Sequence, residues 1–186
     1  MKVNIGMGDF YIASYEDGDT IPAHEVIETE ANHLGHTKGG ATVEYTPTVL
    51  EEKDDKNVTR LLAIVDEEAK FTTGILTYNT ATLAKLNEGE LNEVAPQVGV
   101  AGKRTLKIGG RGKCGMTKHL LRFKKAGCET GEDLRITMVV SNQAGFSLEY
   151  LKDQATVYDA EFTAHASDTD GTLVLIEEGI AALPTP

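Results

Sequence analysis

Tryptophan is absent and only 6% of the residues are aromatic, which argues against a platform that stacks sugar rings and against a ring-lined groove for single-stranded nucleic acid. Cysteine is nearly absent too. Cys114 and Cys128 are the only two and lack a CxxC spacing, so neither a disulfide framework nor a zinc site is expected and both read as reduced structural thiols. No apolar run approaches the ~20 residues of a membrane span. Met1 to Phe10 carry neither a basic nor an apolar segment of the secretory kind, so the expectation is synthesis in the cytoplasm and no membrane partner. On that expectation the triplet Asn57-Val58-Thr59 carries no weight as a glycan acceptor. With 19 glycines and 5 prolines among 186 residues, and no internal repeat, a fibrous or low-complexity chain is not indicated. What is expected is one globular domain over 1–186 with a short flexible C-terminal end.

Charge is plentiful and unevenly placed. The net charge is −11. Half of the bases, Lys103, Arg104, Lys107, Arg111, Lys113, Lys118, Arg122, Lys124 and Lys125, nevertheless fall between Val94 and Cys128, where no acid occurs. Such a run reads as a solvated basic hairpin, a nucleic-acid patch, or a surface that docks on an acidic one, and docking suits self-assembly best.

Alternation with period two dominates and predicts strands. From Ala41 to Val49 apolar positions alternate with Thr42, Glu44, Thr46 and Thr48, and Pro47 points to an edge. After a charged turn over Glu51 to Asn57, strands are expected at Val58–Val65 and Phe71–Leu76, completing a three-stranded meander. Leu134–Val140 and Phe146–Tyr150 repeat the rhythm. Thr156–Ala164 and Thr172–Ile176, joined by the turn Asp168-Thr169-Asp170-Gly171, read as a hairpin. One helix is predicted, capped by Asn79 or Thr80, with Leu83 and Leu86 on one face and Gly89 after its end. About nine short strands with one-sided apolar faces imply an all-β, two-sheet β-sandwich with one short flanking helix. Asp17–Gly40 and Gly89–Gly102 read as long irregular loops, mobile in an isolated subunit and ordered on assembly.

Signatures of chemistry are missing. His33 and His36 with Glu28 or Glu30 lack the helical spacing of a zinc-protease pair, so no metal is expected there. His119 and His165 sit in strand patterns and read as structural. No nucleophile elbow occurs. The cluster Gly109-Gly110-Arg111-Gly112-Lys113-Cys114-Gly115 fits no phosphate loop and reads as a hairpin tip. Asp168 and Asp170 begin like a calcium loop, but Gly171 arrives too early. Acid pairs for glycoside hydrolysis rest on abundance alone. No enzyme and no cofactor are expected.

In order along the chain, Gly39–Asp54, Asp66–Phe71 with the following helix, Arg104–Gly110, Gly145–Tyr150, Ala155–Phe162 and Asp168–Glu178 resemble phrases of the tail tube (major tail) proteins of long-tailed bacteriophages. Together they span nearly the whole chain. The resemblance implies a structural protein forming stacked hexameric rings around a tape measure protein. It also implies initiator and terminator partners, assembly in the host bacterial cytoplasm and residence in the virion tail. Double-stranded DNA would pass without tight binding. Lys103, Arg104, Lys107, Arg111 and Lys113 are then assigned to ring stacking, and Glu44, Glu51, Glu52, Asp54 and Asp55 to an acidic lumen or surface that does not retain DNA. Three other readings are the inner tube of a contractile injection or secretion apparatus, a sandwich binding carbohydrate or a cell-surface ligand, and a nucleic-acid binder using residues 103–125.

Overall fold

In a computed structural model, residues 8–76, 80–87, 89–110, 116–127, 131–143, 145–149, 152 and 157–180 are described. In chain order the elements are β1 (Asp9–Ser14), α1 (His24–Ile27), β2 (His33–Lys53), β3 (Thr59–Ile75), α2 (Thr80–Leu86), β4 (Glu90–Val94), β5 (Lys103–Lys107), β6 (His119–Lys125), β7 (Leu134–Ser141), β8 (Phe146–Glu149), β9 (Val157–His165) and β10 (Leu175–Glu178). The protein is all-β. Its main sheet runs β10-β7-β6-β1-β2-β3-β9-β8, and β4 and β5 form a small second sheet.

Strand β9 closes the main sheet on itself. One of its edges pairs with β3 over Tyr158–Thr163. The other edge is shared, β8 taking Val157–Ala160 and β7 taking Thr163–His165. The two halves of the sheet therefore pack face to face around one core and are hydrogen-bonded together at the β7–β9 seam. Alternation fills that core. On β1, Phe10 and Ile12 point inward, and Phe10 meets Phe71 of β3 and Phe123 of β6 with ring centroids 5.4 and 5.3 Å apart, within the range of favourable aromatic pairs. Helix α2 sets Leu83 and Leu86 against the same cluster. Its end is pinned where Asn87 and Asn142 donate to the hydroxyl of buried Tyr158.

A second, smaller cluster lies on the outer face of β6 and β7, where Ile27 of α1 is buried with Tyr15, Leu120 and Val139. Apolar surface on both faces explains why β6 does not alternate in sequence. It also corrects the expectation of an irregular Asp17–Gly40 loop. That stretch carries α1, docks on the sheet, and becomes β2 at His33.

Other expectations are corrected as well. The meander is one long hairpin, because β3 runs unbroken from Thr59 to Ile75 against β2. Beyond the Asp168 turn the chain crosses the sandwich, so Leu175–Glu178 pairs with β7 instead of β9. The turn itself is formed, with the Asp168 carboxylate accepting from the Asp170 and Thr172 amides. Leu173 and Val174 then pack on the core and carry the chain across. Gly89–Gly102 contains β4. The basic run is not one hairpin, since β5 pairs with β4 while β6 lies between β1 and β7. Arg111 to Gly115, Cys128, Asn79, Tyr150 and the C-terminal end lie outside the described residues.

Candidate assembly surface

The longest feature of the molecule is the β2–β3 hairpin. Near its root β2 pairs with β1 only through His33–His36, and β3 pairs with β9 only from Lys70 to Ile75. Farther out, β2 and β3 pair with each other alone among the described residues. At roughly 3.4 Å per residue, the hairpin runs about 40 Å from Ala41 to Lys53, and its outer nine residues, Tyr45–Lys53, about 30 Å, are free of both β1 and β9. We refer to it as the arm.

Ordinarily a two-stranded ribbon buries one face, but beyond Tyr45 both faces are bare and both carry apolar side chains. Directly opposed residues share a face, which groups Val49 with Ile64 and Glu51 with Leu62 on one side, and Leu50 with Ala63 and Glu52 with Leu61 on the other. Val49, Leu50, Leu61, Leu62, Ile64 and Val65 are 40 to 69% exposed. A bulge at Thr48/Val49 leaves Val65 without an opposite partner, which locally bends and twists the ribbon. Pro47 faces Glu67 on a strand whose other edge is unpaired at that point, a position where proline is tolerated.

Charge is concentrated at the far end. Residues 41–70 hold eight acids and four bases, and the five residues assigned to an acidic surface, Glu44, Glu51, Glu52, Asp54 and Asp55, all lie on the arm. They are not equivalent. Asp54 closes the turn, accepting from the Lys56 and Val58 amides and from Arg60, and the Val58 amide and the guanidinium hold its carboxyl below the usual carboxylate range. Glu51 accepts from the Thr59 hydroxyl at 2.6 Å. At the root, the Tyr45 hydroxyl donates to Glu67, which raises the phenol above its ordinary value. Val43, Tyr45, Leu173, Val174 and Ile176 line a cleft of about 630 Å³ beside this contact.

No protein-family model matches this chain, and neither does any curated protein.

The basic residues are distributed differently from the sequence expectation. In the small sheet Arg104 pairs with Glu93 at 3.1 Å and Lys107 with Glu90 at 3.7 Å. Lys103 is exposed beside Val94, and the connection holds Val98 and Val100 in solvent. Arg111 and Lys113 are not among the described residues. Elsewhere in the run Lys118 pairs with Asp17, while Arg122 and Lys124 are neutralised beneath α1. Arg122 is only 1% exposed; it donates to Thr137 and to His24 Nδ1 and lies 3.7 Å from both Glu28 and Glu177. Burial lowers its pKa, and those two carboxylates oppose the shift. Among the described bases of the run, Arg104, Lys107, Lys118, Arg122 and Lys124 thus all face carboxylates of this chain. Sequence reasoning missed Asp17 and Glu28 as partners because they lie far away in the chain.

Proposed function

We propose that this protein is a structural subunit that assembles with copies of itself into rings and a tube, as the resemblance to phage tail tube proteins implies. The arm carries the reading. A ribbon with apolar residues on both faces and free edges on both strands gains stability only when other strands cover it. A ring of identical subunits supplies such cover head to tail. The acids at the end of the arm suit a conduit that lets DNA pass, because two of the three cations there, Lys53 and Arg60, are paired with Glu51 and Asp54 instead of being free to hold phosphate.

The test pairs the wild-type protein with Leu62→Ser/Ile64→Ser. Negative-stain electron microscopy and analytical ultracentrifugation are expected to find wild-type rings or tubes, formed at high concentration or on a nucleating tail initiator. The variant should stay monomeric while its stability changes by at most about 1 kcal/mol, since both side chains are exposed in the subunit. Wild-type protein that never polymerises, even with initiator and tape measure proteins present, would overturn the proposal. That outcome would favour a monomeric ligand-binding sandwich using the cleft at the arm's root.

A further inference from the structure

We propose that Asp9, His33 and His36 form a binding site for a divalent transition metal of the zinc class, joining β1 to the root of the arm. The site depends on a fault in strand register. Asp9 lies opposite His36 and Phe10 opposite Gly35, so regular pairing would set Tyr11 opposite Leu34; instead Tyr11 meets His33. Skipping one residue reverses the side on which everything beyond it points. Leu34 consequently enters the core, at 3% exposure, and His33 turns out onto the face that carries Asp9, Tyr11 and His36. Without the bulge His33 and His36, three apart in a strand, would point to opposite faces. Gly35 makes the distortion possible, because its φ of 143° lies in the region that favours glycine.

The result is two imidazoles and one carboxylate, with one ligating atom from each within 4.8 Å of the others. His36 Nδ1 is 2.5 Å and His33 Nε2 3.6 Å from the same oxygen, Asp9 Oδ1, and the imidazole centroids are 5.2 Å apart. Zinc bonds of about 2.0–2.2 Å to nitrogen and oxygen in a tetrahedron separate ligand atoms by roughly 3.3 Å. The Asp9–His33 spacing is already close to this. His36 has to exchange its hydrogen bond to Asp9 for a metal bond, its Nδ1 opening from 2.5 Å to roughly 3.3 Å from Asp9 Oδ1. The donor set, two borderline nitrogens and one hard oxygen without thiolate, suits zinc, cobalt or nickel better than calcium or magnesium. The three side chains are 22 to 66% exposed, so further coordination positions open to solvent.

Untagged full-length protein would be titrated with Zn²⁺ against a chromophoric chelator, and with Co²⁺ while visible absorption is recorded. One equivalent should bind per chain, Co²⁺ should give the ligand-field bands of a low-coordinate nitrogen and oxygen site, and saturating Zn²⁺ should raise the melting temperature. His33→Gln and Asp9→Asn should each weaken Zn²⁺ at least tenfold and abolish the thermal shift. Because all three side chains are on the surface, melts in chelator should match the wild type and establish that the variants are folded. Absence of saturable Zn²⁺ binding by folded wild type at 100 μM metal, on the order of a surface-histidine affinity or weaker, would overturn the proposal, as would binding that survives both substitutions. None of these outcomes depends on whether the protein forms a tube.

Discussion

Glu28 has the largest set of ionic partners of any carboxylate described. It is 9% exposed, accepts from Arg135 at 2.6 Å and from Lys124 at 2.7 Å, and lies against buried Arg122. Burial alone would raise its pKa, but the hydrogen bonds from Arg135 and Lys124 outweigh that cost and leave the carboxyl below its ordinary value. Glu28→Gln leaves three cations short of a partner and should destabilise the protein at neutral pH by about 3 kcal/mol. The pH dependence follows from the depressed pKa. Stabilisation by Glu28 is complete above the ordinary glutamate value of 4.5 and is lost as pH falls through the residue's own lower value. Thermal melts between pH 7 and pH 3 should therefore show the wild type converging on the variant in acid, and curves that stay parallel would refute the assignment. In sequence, Arg122, Lys124 and Glu28 gave no hint of one another. Glu28 is 94 and 96 positions from the two bases, and a base count along the chain registers cations without their tertiary partners. His33 and His36 were similarly misread as loop residues, since the bulge that aligns them is a property of pairing with β1.

At the scale of elements, alternation identified β7, β9 and the Ala41–Val49 part of β2 as strand, but missed both ends of β2, His33–Gly40 and Leu50–Lys53, and what would cover each face. Period two marks a face as apolar; it does not say whether the core or a neighbour receives it. The adjacent apolar pairs Leu61-Leu62 and Ile64-Val65 were the available signal, because a one-sided strand does not place two large apolar residues side by side. The same limit hid the partners of β5. Lys103, Arg104 and Lys107 share the small sheet with Glu90 and Glu93, and exposed pairs of this kind contribute only about 0–1 kcal/mol each. Reversing all three bases to glutamate should therefore leave the fold close to wild-type stability by thermal melting. If ring stacking sets these bases against acids of a neighbouring subunit, the reversal blocks polymerisation, and if those acids are Glu51 and Glu52, Glu51→Lys/Glu52→Lys in the same chain restores it. Polymerisation unaffected by the reversal would remove these bases from the interface, loss without restoration would exclude Glu51 and Glu52 as their partners, and salt-sensitive DNA binding by the parent protein would favour the nucleic-acid reading.

For the molecule as a whole, the all-β sandwich was legible from patterning, whereas the β7–β9 seam and the crossing of β10 to β7 depend on long-range register that patterning does not encode. The distribution of order also differs from the sequence expectation. Ile27 and Glu28 tie the stretch before β2 onto the sheet, so the change on assembly should concentrate in the arm instead. Hydrogen exchange is expected to show rapid turnover from Thr46 to Asp66 in the subunit, strong protection in the strands of the closed sheet, and protection gained in the arm on polymerisation. Equal exchange of the arm in both states would contradict this. Because β3 is one strand from the arm's tip to its root, a pull on the arm also has a defined mechanical outcome. Six residue pairs, Lys70–Ile75 with Tyr158–Thr163, anchor that strand to β9. Their hydrogen bonds lie across the strand axis, so tension along the arm loads the whole ladder in shear at once instead of peeling it bond by bond, and the core would bear the strain of a bending filament.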